Sequence, residues 1–342
     1  MTHAEPSSRR RFLAALGIGS LLAASRTPPA RVAAQAASQV PPAPWWPSRW
    51  GAGDQAGASN WITPAKVLDA VKWVRDGKIY RLGRAYEAGM PLFGTRTFSL
   101  TIPGGPTGGP YGANRIVYHD EFVTGQIGQV GTQFDGLGHI GIQRGRDGDR
   151  AEMRYYNGFS EEEIASSEGL RKLGIEHVKP IVTRGHLLDL AGLKGRMLNG
   201  GEEITLADLR AALSRQGLRE GDIGEGDAIL FHTGWGGLWM KDNAKYGASN
   251  PGIGLEVARW VADRGLCLTA ADTSSVEVIP NPDATQAYPV HGELLTKHGI
   301  LNHENLAFDE LLADRKYQFV YVFVPVPLKG ATGSPGCPIA IT

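Results

Sequence analysis

Apolar and polar positions along this chain switch repeatedly between a helical and an extended period. Val67, Leu68, Val71 and Val74 recur at helical spacing between a Thr63-Pro64 start and Gly77, so the run predicts a capped helix with one apolar face. Similar start and stop signals predict helices over Thr205–Gln216, closed by Gly217, and over Leu255–Arg264, closed by Gly265. Clusters of β-branched and aromatic residues predict strands at Ile79–Leu82, Arg115–His119, Pro180–Thr183, His186–Leu190, Ala228–His232, Cys267–Ala271 and Gln318–Val326. The last of these is apolar on both faces, as a buried central strand is. Strands of mixed character separated by a few helices, without a regular βα repeat, predict an α/β or α+β domain and no barrel.

The first residues read as a targeting segment rather than as structure. Arg9-Arg10-Arg11-Phe12-Leu13 leads into an apolar run to Ala24 that is too short and too glycine-rich for a membrane span of about 20 residues. Ala34-Gln35-Ala36 has the form of a signal-peptidase site, and the paired arginines resemble a twin-arginine export signal. The expected organisation is therefore a signal peptide over 1–36, a Pro/Trp-rich arm over 37–50 and one domain over 51–342, with a periplasmic or secreted mature chain. The prolines of Val40-Pro41-Pro42-Ala43-Pro44-Trp45-Trp46-Pro47 favour an extended arm, and the tryptophans predict its docking on the body or on a neighbouring subunit.

Composition narrows the function classes. The full chain of 342 residues carries 35 Lys+Arg and 35 Asp+Glu, with 42% apolar residues. That excludes a disordered chain and removes the basic field on which non-specific nucleic-acid binding depends. Cleavage after Ala36 removes five arginines and one glutamate, leaving 306 residues with 30 basic and 34 acidic side chains. The two cysteines, Cys267 and Cys337, set no disulfide framework, and a free buried Cys267 is the favoured reading. Neither has an activating histidine nearby in sequence.

Candidate chemistry concentrates in Gln126–Gly141. Gln129, Gly131, Gln133 and Asp135 share parity, so an extended segment would aim their side chains to one face. A flat strand would separate positions 129 and 133 by about 13 Å and positions 133 and 135 by about 7 Å. A bend at Gly131-Thr132 is therefore required if all three polar side chains are to meet.

This segment resembles the His-x-Gly-Thr-His-x-Asp-x-Pro-x-His motif of the cyclase-like amidohydrolase family, which includes bacterial kynurenine formamidases and isatin hydrolases. Gly131, Thr132, Asp135 and His139 match the motif, Gln129 and Gln133 stand in place of two metal-binding histidines, and Leu137 replaces the proline. Further resemblances follow in order: Trp50–Asn60, the Gly226-Asp227 strand leading to Thr233-Gly234, Asp272-Thr273-Ser274-Ser275, and the pair His291 and Glu304. The resemblance implies a single α/β domain with the mixed-sheet, swivelling β/β/α-type fold, and a homodimer or homotetramer. It also implies metal-assisted hydrolysis of an amide, lactam or ester, with Gln129, Gln133, Asp135, His291 and Glu304 around the ion and His139 moving protons as a catalytic group with Asp135 and Glu304.

Amide oxygens are harder donors than imidazole nitrogens, so the two glutamines favour Mn²⁺, Mg²⁺ or Ca²⁺ over Zn²⁺ and weaken the binding of each. Two further readings stand beside the hydrolase. One is a metal-free acid/base lyase or cyclase using Asp135, His139 and Glu304, and the other is a periplasmic small-molecule binding protein without turnover. Each residue also has a plain structural reading: the glutamines as hydrogen-bonding elements, Glu304 as a helix cap, and His232 as a satisfied buried histidine with Trp235 as an aromatic wall nearby. His119, His177, His186, His298 and His303 receive no role. Pro103–Pro110 lacks the strand before it and the Lys-Ser/Thr ending of a phosphate loop, and it reads as a loop able to act as a lid. Partners are thus a small molecule and further copies of the chain, with no nucleic acid and no membrane after cleavage.

Export is directly testable. Replacing Arg9-Arg10 by a lysine pair should leave the protein inside cells that otherwise export it, and mass spectrometry of the exported form should find a chain beginning at Ala37.

Overall fold

The structure, a computed structural model, describes residues 43–342; the export signal and the first residues of the Pro/Trp arm lie outside the described residues. Nine strands form one mixed sheet: β1 (Ile79–Arg81), β2 (Gln133–Asp135), β3 (Ile181–Asp189), β4 (Ala228–His232), β5 (Leu268–Ala271), β6 (Leu301–Glu304), β7 (Gln318–Phe323), β8 (Gly333–Pro335) and β9 (Ile339–Ile341). Their spatial order is β1-β9-β7-β3-β4-β5-β6-β2-β8. The middle strands β3, β4, β5 and β6 run parallel, and antiparallel strands extend the sheet on both sides. Parallel strands need both faces covered, which is why β4 and β5 are apolar along their length.

The helices α1 (Pro64–Val71), α2 (Leu206–Arg215) and α3 (Leu255–Asp263) begin at their sequence signals; α2 and α3 also end close to theirs, whereas α1 stops at Val71, well short of Gly77. Thr63 accepts from Lys66 N at the start of α1, and Thr205 and Asp208 form a reciprocal capping box on α2. The helix α3 buries Val257, Ala258, Trp260 and Val261 in the core, whereas α1 buries only Ala70. Leu68 and Val71 of α1, and Val74 beyond its end, are exposed, and Val67 is half-buried. The two strands expected at 180–190 are one continuous strand, β3. The strand ending at Val326 stops at Phe323 and lies third from one edge of the sheet, buried at Phe319, Val320, Tyr321 and Phe323.

Residues 98–125 are set apart from the sheet as two-stranded ribbons. Phe98–Thr101 pairs with Phe122–Gly125, and Gly108–Tyr111 pairs with Ile116–Tyr118. The glycine-rich run is therefore a loop only in its first part, because Gly108, Gly109 and Pro110 enter the inner hairpin. The arm at the N-terminus of the described chain docks on the body, as its tryptophans predict. Trp46 lies against Gly158, where a Cβ would come within 2.4 Å of the indole, and Ser48 N donates to Asn157 Oδ1 at 2.7 Å.

Two backbone features shape the motif segment. Gly131 has φ +63° and lies against the Tyr86 ring, so the chain turns there, at the position where a bend is required, and re-enters the sheet as β2. Asn305 follows β6 with φ +60°, a left-handed conformation that asparagine tolerates. Its Nδ2 donates to Gly131 O at 2.6 Å, its Oδ1 accepts from Tyr246 Oη at 2.6 Å, and its carbonyl accepts from Thr132 Oγ1 at 3.0 Å. Asn305 thus ties the bend to the end of β6. Asn305→Ala loses two buried hydrogen bonds and strains the backbone, and should cost about 2–4 kcal/mol in denaturant unfolding. Asn305→Asp, which keeps the conformation and the bond from Tyr246, should cost less.

Candidate active site

Antiparallel pairing of β6 with β2 sets Glu304 opposite Gln133 and Asn302 opposite Asp135. Gln133 and Asp135 point the same way on a strand, so this register brings Gln133, Asp135 and Glu304 to one face. Gln133 Nε2 donates to Glu304 Oε2 at 2.9 Å and lies 3.4 Å from Asp135 Oδ1. The fourth member comes from elsewhere in the chain. His291 lies at the end of the short helix Pro289–His291, where the backbone widens into a π-helical segment, Gly292–His298. Its Nε2 lies 3.3 Å from Glu304 Oε1 and 3.6 Å from Asp135 Oδ2.

A third carboxylate holds His291 from behind. Glu277, 1% exposed, bonds His291 Nδ1, and also accepts from the backbone N of His291 at 3.0 Å and of Val290 at 3.2 Å. Sequence reasoning passed over it, although a lone Glu in the apolar run Val276-Glu277-Val278-Ile279 was the available signal. Burial opposes the charge on His291, but the carboxylates of Asp135, Glu277 and Glu304 around it outweigh that and hold its pKa well above the ordinary histidine range. Burial also disfavours ionised Asp135, yet His139 and His291 keep that carboxyl below its usual value. Glu304 goes the other way: burial first, then the Asp135 charge, push it up to about 7.

His139 stands at the opening, its side chain 18% exposed and its Nε2 4.0 Å from Asp135 Oδ1. Burial lowers its pKa and outweighs the pull of Asp135, so the neutral imidazole is favoured. It lines a cavity of about 180 Å³ with Gln133, His291, Glu304, Ser274, Ser275, Phe93, Arg96, Ile140, Ile279 and Tyr288. A cavity of about 150 Å³ holds benzene, so this space suits a single-ring molecule. The Ser275 hydroxyl is buried and has no protein partner.

Gln129 sits next door. It lines a smaller space of about 20 Å³, roughly one water, which shares Gln133, Ser274, Phe93 and Arg96 with the main cavity. Its Nε2 donates to Thr332 Oγ1 at 3.3 Å and its Oε1 is buried without a partner. Five of the six residues singled out from the sequence therefore meet directly, and Gln129 flanks them.

The plain readings are also decided. Glu304 caps no helix, because it ends β6 and the next helix starts at Asp309. His232 is half-buried and paired with Asp189 at 2.8 Å. Trp235 packs with Trp239 and Tyr246 in a second core and does not line the main cavity. Asp272 accepts from Thr233 N, Thr233 Oγ1 and Gly236 N, which joins two of the motif segments. His119 is exposed, His186 pairs with Asp227 and His303 with Tyr321 in the core, and none reaches the site. Cys267 is buried and free, and Cys337 is exposed and free.

The donor set fits a divalent cation. Asp135, His291 and Glu304 each offer one ligand atom, and these atoms lie within 4.8 Å of one another. The 3.3 and 3.6 Å separations approach the roughly 3.1–3.4 Å edges of a coordination shell with bonds of about 2.1 Å. Asp135 Oδ2 is buried without a hydrogen-bond donor, as a ligand oxygen is. Gln133 adds a fourth donor when its amide turns, since Oε1 then replaces Nε2 at the carboxylates.

No curated protein matches the chain. Among solved structures, one described as a novel cyclase is 32% identical, with a TM-score of 0.74 over 86% of this chain and 96% of the other. The isatin hydrolases A of Labrenzia aggregata and Ralstonia solanacearum share the fold at 20% and 19% identity, each with a TM-score of 0.54. They cover 79% and 82% of this chain and 94% and 96% of their own lengths. Residues 80–278 match the family described as "Putative cyclase". With that match, with a 32% identical relative along most of its length, and with the motif residues gathered around one buried histidine, the chain belongs to the cyclase family.

Proposed function

We propose that the protein is an exported metal-dependent hydrolase that opens an amide, lactam or ester bond in a small ring-containing substrate. The observation that carries this reading is the buried trio Asp135, His291 and Glu304, ordered by Glu277 and open on one side to a single-ring cavity. The isatin hydrolases, which share the fold, support the hydrolytic class. Asp135, His291, Glu304 and Gln133 would hold the ion, with Gln129 beside them, and an oxygen-rich set of this kind favours Mn²⁺ over Zn²⁺. When bound, the ion supplies Lewis acidity toward a carbonyl and toward water.

The chain's own residues do the rest. Neutral His139 faces the cavity next to Asp135, where its free ring nitrogen takes a proton from attacking water and returns it to the departing nitrogen or oxygen. Asp135 favours the imidazolium formed in between. Phe93, Ile140, Ile279 and Tyr288 wall the ring and exclude water. Glu277 fixes the His291 tautomer that leaves Nε2 facing Asp135 and Glu304.

We further infer a homo-oligomer. The ribbons at 98–125 expose Leu100, Ile102, Tyr111, Ile116, Val117, Tyr118, Phe122 and Val123. Two-stranded ribbons are marginal in water, and an apolar surface this continuous calls for cover, which a second copy of the chain provides.

Four measurements test these statements. Purified mature protein should contain about one equivalent of Mn²⁺ or a similar ion, and chelation should abolish turnover of a lactam, formamide and aryl ester panel. His139→Ala should lower kcat at least 100-fold while the metal content stays; turnover that survives exhaustive chelation and is lost in His139→Ala would point to the metal-free enzyme. Mn²⁺ affinity should rise with pH, because the raised His291 proton occupies the nitrogen that the ion needs, and calorimetry should record proton release on binding. Light scattering should find a dimer or larger, and Val117→Glu with Phe122→Glu should shift it to monomer.

A further inference from the structure

Arg96 is the one group at the cavity whose charge has no counter-ion among the described residues. The other charged groups there pair within the site, where Asp135, Glu304 and Glu277 all face His291. Arg96 makes no ion pair within 4.0 Å among the described residues, and its guanidinium stacks only on the Phe93 ring, 5.7 Å from the centroid. It is half-buried, and it lines both the main cavity and the small space beside Gln129. Its backbone is anchored where the ribbons leave the body. Arg96 N donates to Phe93 O at 3.3 Å, and Thr97 N donates to Gln126 Oε1 at 2.7 Å.

A half-buried guanidinium gives up part of its hydration, and its planar fork of donors matches a carboxylate. Leaving it unpaired is costly unless a ligand completes it. The positive charge also reaches Asp135 and His139 across the cavity, so it acts on the same ligand as they do. Phe93 and Tyr288 supply aromatic walls on that side.

We propose that Arg96 anchors a carboxylate carried by the substrate in addition to its scissile bond, so that the substrates are single-ring amides or esters bearing an acid group. This specificity rests on the hydrolase reading for its chemistry, whereas the anion site itself stands on binding alone. The test is calorimetric titration of the purified protein with benzoate and with benzamide, in wild type, Arg96→Gln and Arg96→Lys. Wild type should prefer benzoate, Arg96→Gln should bind it at least 10-fold more weakly with benzamide unchanged, and Arg96→Lys should fall between. Benzoate binding that is undetectable in wild type or equal in Arg96→Gln overturns the assignment, as does equal weakening of both probes. Hydrolysis of 4-acetoxybenzoate and phenyl acetate separates the two ideas. A kcat/KM preference for the acid that disappears in Arg96→Gln supports both; turnover of neither ester, with the benzoate preference intact, removes the hydrolase reading and leaves the anion site.

Discussion

Burial of three carboxylates around one imidazole is the constraint to which the rest of the site answers. Asp135, Glu277 and Glu304 are all at most 2% exposed, and a single unpaired charge at such depth costs several kcal/mol. His291 offsets one of these charges, bonded behind by Glu277 and facing Asp135 and Glu304 in front, and Glu304 is pushed toward its neutral form. That compensation depends on position to within an ångström, which explains the rigidity built around it. The sheet register sets Glu304 against Gln133, Asn305 locks the bend at Gly131, and Val276 N donates to Glu304 Oε1 at 3.3 Å.

The same constraint bears on the two glutamines of the segment. A glutamine at 133 is neutral and can face the carboxylates with either end of its amide. With Nε2 inward it stabilises Glu304 as a hydrogen-bond donor; with Oε1 inward it becomes a hard ligand. A histidine would have to change its protonation or tautomer to switch between the two. Gln129 is decoupled from this choice because the turn at Gly131 sends it to the neighbouring space, where its carbonyl oxygen is left without a protein partner. Both glutamines thus offer amide donor atoms and add no charge to the site.

Around this centre the chain divides its labour between rigid and exposed parts. Parallel strands β3 to β6 carry Glu304 at the end of a fully covered core, while the cavity's outer wall comes from Phe93 and Arg96 at the root of the exposed ribbons. The sheet thus fixes Glu304 and Asp135, while the outer wall sits on a segment whose far end exposes apolar side chains.

Local rules determined much of this protein from sequence alone. The caps of α1, α2 and α3, the strands β4, β5 and β7, and the motif around Asp135 and His139 all follow from side-chain period, capping chemistry and glycine placement within a few neighbouring residues. The need for a bend at Gly131 was legible too, because strand geometry forbids Gln129 and Gln133 from meeting without one. Tertiary structure decided what those rules cannot reach. It left Leu68 and Val71 of α1 exposed and placed Trp235 in a separate core. It also assigned Glu277 and Arg96, whose roles depend on which distant groups they face. Pairing energies between buried groups are set by distances through space, and residues 171 positions apart, such as Gln133 and Glu304, carry no local mark of whether they meet. For Asp135 and Glu304 it was the register of β6 on β2 that settled the matter.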